Sequence, residues 1–403
     1  MATEKQTKSL HDVKENGNSM IDTYSKMFNV YCLLLNAALE SKNINKKLFL
    51  SRGGLRLRRL YGKCHPNADK QSLDFYTSRL ATIKASTYIA PEITTIDMAK
   101  EYYGMSLDSM LKCFLGAEYY QKFTETKKLN ELDELESTLV QQSKLLDLFG
   151  FNGEPFLRDF VKGQYELLCQ YWRESVEIDD EIALIDTGWS GTIVFYLKLM
   201  FPNYNINAFF FGKTTYGGPS YDYHMFVHGV MFDTNKVIPG HGFSYLIENR
   251  HLIEMICEPQ CASTESYIFD GLKVHPNCGV IPEEVIIGSQ DDIYNKILLK
   301  MKPEQGSLAL NYFRDLRRAT LYPSKKDVEF LSGSSRSADF GKEIQVQILL
   351  KSSSNPISKI KNIRSSLWRN GQVVREFGRL GRLYLYLNYQ VFPYVPWLRR
   401  FTK

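Results

Sequence analysis

An acid, three hydroxyls and two glycines close the apolar run Ala183-Leu184-Ile185-Asp186-Thr187-Gly188-Trp189-Ser190-Gly191-Thr192. EIALID (181–186) reads as a buried strand and IVFYLKLM (193–200) as a helix, so Asp186 stands where strand gives way to turn and helix. The first amides of a helix lack intrahelical partners, and the helix dipole favours negative charge there. Gly188 and Gly191 let a phosphate approach the backbone, and Ser190 and Thr192 add hydroxyl donors. The pattern predicts a phosphate or diphosphate site made by Gly188, Trp189, Ser190, Gly191 and Thr192. The alternative is a plain helix start capped by Ser190 or Thr192. It is not a Walker A loop, because no Lys follows the second glycine, and it is not G-x-G-x-x-G.

Two arginines offer a second anion contact. Arg52 follows the strand-like KLFLS (47–51), and Arg79 follows Tyr76-Thr77-Ser78 at another strand end. At neighbouring strand ends they can clamp one anion through bidentate bonds, or they can pair with body carboxylates. Arg56, Arg58 and Arg59 read as a solvated helix face. Glu254 lies in the apolar helical run LIEM (252–255), with Glu258-Pro259 after it. A carboxylate there can bind sugar hydroxyls, or act as a base if burial raises its pKa; the alternative is an exposed helix acid. Metal signals are poor. His224 and His228 have i, i+4 spacing without a nearby acid, and Cys257 and Cys261 form an isolated C-x3-C. No metal is expected.

These groups need elements to hold them. Residues 19–40 have helical apolar spacing, and KLFLS, an Arg52-Gly53-Gly54 turn and LRLRRLY (55–61) open an α/β unit. Residues 98–172 are helical in pattern. EIALID, the 187–192 turn, the 193–200 helix and NINAFFFG (205–212) form a second α/β unit with parallel strands. Gly217-Gly218-Pro219 marks a loop, helices return at 243–257 and 291–301, and SGSSRS (332–337) reads as a flexible connector.

The 403 residues suffice for two or three domains, and an apolar content of 44% with 24% charge excludes a mainly disordered chain or a coiled coil. No apolar run is long enough to span a membrane, and the first twenty residues lack a signal-peptide core, so a cytoplasmic chain is expected. Seven scattered cysteines suit reduced thiols. Charge is uneven: the chain carries +5, yet residues 351–403 hold eleven Lys or Arg and only Glu376 as an acid. The segment GRLYLYLNYQVFPYVPWLRRF (381–401) mixes those cations with aromatics, which suits an anionic membrane surface. Pro393 and Pro396 break any long helix, so it should lie on the membrane without crossing it. The alternative is packing onto the body. No nucleic-acid partner is expected, since no reader motif accompanies the charge.

The motifs resemble the C-terminal module of bacterial HAD-superfamily hydrolase-like polysaccharide biosynthesis proteins of capsule and O-antigen clusters. That module has a strand-end F-L-S/A-R-D-G, a later S-R, a V-D-I-G-W-x-G-S/T-I-Q turn, and an I-E helix followed by small residues and a Tyr. FLSRGG (49–54), TSRLA (77–81), LIDTGWSGTI (184–193) and LIEMICEPQCASTESY (252–267) follow this order, within residues 20–300. Gly54 is read in place of the family's Asp and Val194 in place of its Gln, and no D-x-D-x-T/V nucleophile occurs, so HAD-type hydrolysis is not expected. The elements together predict an α/β protein with two facing Rossmann-like units, 1–97 and 176–330, a helical insert 98–175 and a tail 331–403, and this layout resembles that of GT-B glycosyltransferases. The resemblance implies a glycosyltransferase of cell-surface polysaccharide at the inner face of the plasma membrane. A nucleotide sugar would be the donor, a glycan or lipid-linked molecule the acceptor, and no further cofactor is needed. Asp186 and Glu254 would bind hydroxyls or serve as base, while Arg52, Arg79 and the 188–192 turn hold the diphosphate. A glycan phosphotransferase is one alternative. A non-catalytic scaffold is another, favoured by the changes at 54 and 194.

Overall fold

A computed structural model describes residues 20–215, 225–238, 241–302, 310–337 and 345–391. The first described helix is α1 (Met20–Ser41); β1 (Lys46–Leu50), α2 (Gly53–Cys64), β2 (Ser72–Phe75) and α3 (Arg79–Ser86) follow. Then come α4 (Pro91–Glu101), α5 (Leu107–Leu115), α6 (Ala117–Glu125), α7 (Leu129–Ser137), α8 (Gln142–Phe149) and α9 (Pro155–Ser175). β3 (Glu181–Trp189), α10 (Thr192–Met200), β4 (Asn205–Lys213) and β5 (Val227–Asp233) complete the main sheet. The remainder is α11 (Arg250–Cys257), a β6 (Tyr267–Phe269) and β7 (Val274–Pro276) ribbon, α12 (Glu283–Ile287), α13 (Ile293–Lys300), α14 (Leu310–Leu321), α15 (Lys325–Phe330), β8 (Ser335–Ser337), β9 (Gln345–Gln347), α16 (Pro356–Ser365) and α17 (Arg369–Tyr386).

The strands form one parallel five-stranded sheet in the order β2-β1-β3-β4-β5. Side chains alternate between its faces. Phe49, Ala183, Ile185, Phe209 and Phe211 pack under α1, α2, α11, α13 and α14. Leu48, Leu50, Ile182, Leu184, Ala208 and Phe210 pack under α3, α9 and α10. Burial on both faces explains why these strands are near-continuous apolar runs in the sequence. Helices α4 to α9 gather a third core around Met98, Met110, Leu111, Phe114 and Phe149, as the helical reading of 98–172 anticipates.

The mixed α/β class is as expected, but the two facing units are not. β1 pairs directly with β3, Leu48 opposite Leu184, so strands from both sequence halves share a single sheet. Adjacent parallel pairing satisfies the backbone groups that two separate edges would leave open. The connector expected at 332–337 is also corrected, because Ser335–Ser337 pairs antiparallel with Gln345–Gln347. The Gly217-Gly218-Pro219 loop, His224, residues 1–18 and residues 392–403 lie outside the described residues. No described helix is long and apolar enough to cross a membrane.

The basic helix face expected at Arg56, Arg58 and Arg59 is corrected most sharply. Arg56 is buried. Its Nε donates to the Ile286 carbonyl at 2.6 Å, Nη1 to the Ile256 carbonyl at 2.8 Å and Nη2 to Asp292 at 3.0 Å. Arg58 pairs with Asp69 and Asp74, and Arg59 bridges Asp74 and Glu283. Later elements fold back over α2, burying Arg56 and pairing the half-buried Arg58 and Arg59 with carboxylates.

Candidate functional site

From β1 the chain crosses to β2 on one side, while β3 lies on the other. Helix α2 leaves β1 over one face of the sheet, and α10 leaves β3 over the opposite face. The helices therefore diverge beyond the carboxyl ends of β1 and β3, and doubly wound sheets bind ligands in the crevice at such a switch point.

Arg52 enters from β1, Asp186 and Thr187 from β3, and Glu254 and Glu258 from the end of α11. The approach is close: a Cβ on Gly53 would meet Thr187 Oγ1 at 2.8 Å and Asp186 Oδ1 at 3.0 Å. Asp186 Oδ1 accepts from its neighbour's amide, Thr187 N–H, at 2.8 Å. Burial pushes the Asp186 carboxyl up to about 8; the charges of Glu258 and Glu254 add to the rise, and the Thr187 amide opposes it. Asp186 is thus a carboxylic acid at neutral pH that ionises just above it.

Glu254 is buried and engaged at both oxygens: Trp189 Nε1–H donates to Oε1 at 2.7 Å, and His251 Nδ1 lies 2.7 Å from Oε2. The exposed-acid alternative for Glu254 is therefore set aside. Buried Arg52 places Nη2 3.4 Å from Glu258 Oε2. Glu258 was legible only as the acid before Pro259, and His251 carried no signal beyond its i, i+3 spacing to Glu254.

The expected anion turn is shorter than its sequence suggests. β3 continues past Asp186, and Gly188 and Trp189 pair with Gly212 and Lys213 of β4. Trp189 is core: its ring stacks on Phe232 at 5.8 Å. What remains at the surface is Ser190 and Thr192, with Gly191 between them. Gly191, in the left-handed region at φ 82, is the N-cap of α10 and as a glycine brings no side chain to cap it. Ser190 Oγ and Thr192 Oγ1 lie 3.3 Å from each other, so the plain capping alternative is not how this helix starts.

Arg79 stands apart from Arg52 in its pairing. It reaches Glu101 of α4 at 2.6 Å, while Ser78 caps α3 by accepting from Ala81 N–H. The two arginines thus each hold a body carboxylate. The segment between α11 and β6, the small-residue stretch of the resemblance, straps the ends of β1 and β2. Ser78 Oγ donates to the Thr264 carbonyl at 2.5 Å, and Tyr267 OH donates to Thr77 Oγ1 at 2.9 Å. Ser51 Oγ closes the same corner by donating to the Thr77 carbonyl at 2.7 Å.

Among the described residues no group of three or more His, Cys, Asp or Glu is placed to hold a metal ion. His228 packs its ring on Phe209 at 5.2 Å, and burial pushes its pKa down. Cys257 is a buried thiol, its pKa raised by that burial, and Cys261 is pushed up to about 11 for the same reason. Neither is a ready thiolate.

No protein-family model matches the chain, and no curated protein matches it. The likeness to polysaccharide-biosynthesis modules therefore stands on its motifs, and one of these needs a corrected register. Counted from Phe49-Leu50-Ser51-Arg52, the family's acid falls on Gly53, not Gly54. Neither position admits a side chain, since a Cβ at Gly54 would lie 2.6 Å from the Ile185 carbonyl. Val194, at the family's Gln position, is fully buried in the core under α10.

Two expected outcomes test this geometry. Gly53→Asp should force a second carboxyl against Asp186 and Thr187 and lower the melting temperature steeply, by more than the ~4–8 °C typical of a 1 kcal/mol loss in a small domain. A thermal scan that overlays the wild type would show that the crevice is looser than described. Trp189→Phe keeps the ring stack but removes the donor to buried Glu254. It should cost about 1–3 kcal/mol in urea unfolding, whereas Phe232→Tyr at the same stack tests no such donor.

Proposed function

We propose that the chain is a glycosyltransferase of surface-polysaccharide assembly whose active site is the crevice between the ends of β1 and β3. The observation that carries this reading is Asp186, a carboxyl held at about 8 by burial and by the nearby Glu258 and Glu254, where the sheet order reverses. A general base works best with a pKa near the operating pH. Ionised Asp186 takes the proton of an acceptor hydroxyl. The acceptor oxygen forms the new bond to the anomeric carbon as the bond from that carbon to the nucleoside diphosphate breaks. The start of α10 receives the diphosphate together with Arg52, which would exchange its Glu258 partner for phosphate oxygens. Glu254, held by Trp189 and His251, adds with Glu258 to the burial that raises the Asp186 pKa, and is a positioning residue in this scheme. A cleft between two separate units plays no part.

The full chain incubated with nucleotide sugars and a polyprenyl-phosphate glycan acceptor should transfer sugar, with a rate that climbs as pH passes through about 8. Asp186→Asn should cut it by roughly 10²–10⁴-fold. No transfer and no nucleotide-sugar binding across a broad donor panel would overturn the proposal. A product whose mass gains a phosphate-linked group would assign the same crevice to a phosphotransferase. The internal pairs Arg52–Glu258 and Arg79–Glu101 favour one further reading, a non-catalytic scaffold. In that case Asp186→Asn would leave polysaccharide assembly in cells intact.

A further inference from the structure

Glu376 is the one acid between residues 351 and 391, against eight Lys or Arg, and it is turned inward. It accepts from Ser352 Oγ and the Ser353 amide on one oxygen, and from Asn362 and Gln372 side chains on the other. Those bonds fasten α16 to α17 and leave their outer surface with cations alone. Lys361, Arg364 and Arg379 are exposed there, and Arg375 and Arg382 are half-buried.

The same surface is apolar at its centre. Helix α17 has two apolar faces. Val374, Gly381 and Leu385 pack inward, and Trp368 anchors its start by donating from Nε1 to the Thr320 carbonyl at 3.1 Å. On the outer side Leu380 is 76% exposed, Tyr384 57% and Leu383 54%, with Phe377 one turn earlier. Positions 380, 383 and 384 share a helical stripe, and Phe377 precedes it across the break at Gly378, so these exposed residues cluster and are not scattered. Helix α16 extends it: Ile357 is 78% exposed and Ile360 51%, and Lys359 Nζ lies 5.1 Å from the centre of the Phe377 ring. Neither helix spans a bilayer, and Gly378 at φ 54 interrupts α17.

We propose that the joined outer face of α16 and α17 docks on an anionic lipid surface, with Leu380, Leu383, Phe377 and Ile357 entering the interface and Lys361, Arg364, Arg379 and Arg382 meeting the headgroups. Lipid is favoured over a protein partner by the combination of features: a one-sign charge border, an apolar ridge and Tyr at the boundary. The aromatic stretch expected at 381–401 supplies only part of this face. Its described portion turns Leu385 inward, and residues of α16 that precede it complete the surface. The proposal is independent of any catalytic role for Asp186.

The experiment is flotation of the full chain with vesicles of phosphatidylcholine alone, or with about one third phosphatidylglycerol. Binding is expected to the anionic vesicles only and to weaken with salt. Leu380→Glu with Leu383→Glu should lose at least about tenfold in vesicle affinity, and Arg379→Glu with Arg382→Glu on the order of a hundredfold. Ile357→Glu, on the other helix, gives an independent reading should the α17 variants fold poorly. Equal binding to neutral vesicles, no vesicle binding at all, or full binding by every variant would overturn the proposal. A dimer lost in Leu380→Glu without any vesicle binding would overturn it too and give the face to a second copy of the chain.

Discussion

Arg56→Ala is expected to lower the free energy of unfolding by about 3–5 kcal/mol, the largest effect of any single substitution considered. Arg56 is 3% exposed and donates to two backbone carbonyls, Ile286 and Ile256, as well as to Asp292. Its guanidinium lies 4.5 Å from the centre of the Tyr294 ring, whose hydroxyl donates back to the Arg56 carbonyl at 2.7 Å. Truncation strands two buried carbonyls and one carboxylate at once, and an unmade buried bond costs more than a made one returns. Lys cannot replace the planar fork, so Arg56→Lys should recover only a small part. Arg58→Ala, by contrast, removes a partly exposed pairing and should cost no more than about 1 kcal/mol. Urea unfolding of the three variants measures the contrast. Equal, small losses for Arg56→Ala and Arg58→Ala would mean that α2 is not clamped by the later elements.

Asp186→Asn is expected to separate stability from activity. The folded carboxyl titrates at about 8, against about 3.9 in an unfolded chain. Between those values the unfolded chain has released the proton and the fold still holds it. Stability from this group is therefore complete below about pH 4, falls as pH rises towards about 8, and levels off beyond. Asp186 as a residue is only half-buried, which limits the loss to a few kcal/mol. Asn is neutral at every pH and still offers Oδ1 to the Thr187 amide. The variant should thus match the wild type at about pH 4 and below, and exceed it in melting temperature by a margin that grows until about pH 8. Under the proposed function the same substitution removes the base and should cut turnover by roughly 10²–10⁴-fold. Melting curves that run parallel for the two proteins from acid to alkaline pH would mean that Asp186 is an ordinary solvated carboxylate.

Much of the frame was legible in the sequence because it is local. KLFL, EIALI and NINAFFF are near-continuous apolar runs bounded by polar or glycine turns, and each became a strand of the sheet. Asp186 was recognisable as the acid at the outer end of such a run, and the helix after Gly191 followed from IVFYLKLM. Trp189 shows where that logic stops: β4 extends the ladder past Asp186, so the indole joins the core and serves Glu254 instead of a ligand.

What the sequence determined by itself is which segments form strands and helices, and that cations crowd its last fifty residues. Tertiary structure alone decided that β1 lies beside β3, that Arg56 is interior, that Glu258 and Glu254 gather around Asp186, and that α16 joins α17 in one outward face. The reason is that periodicity and turn chemistry report the preferences of a chain segment against water, whereas pairing, pKa and burial depend on what a distant segment brings to the other side.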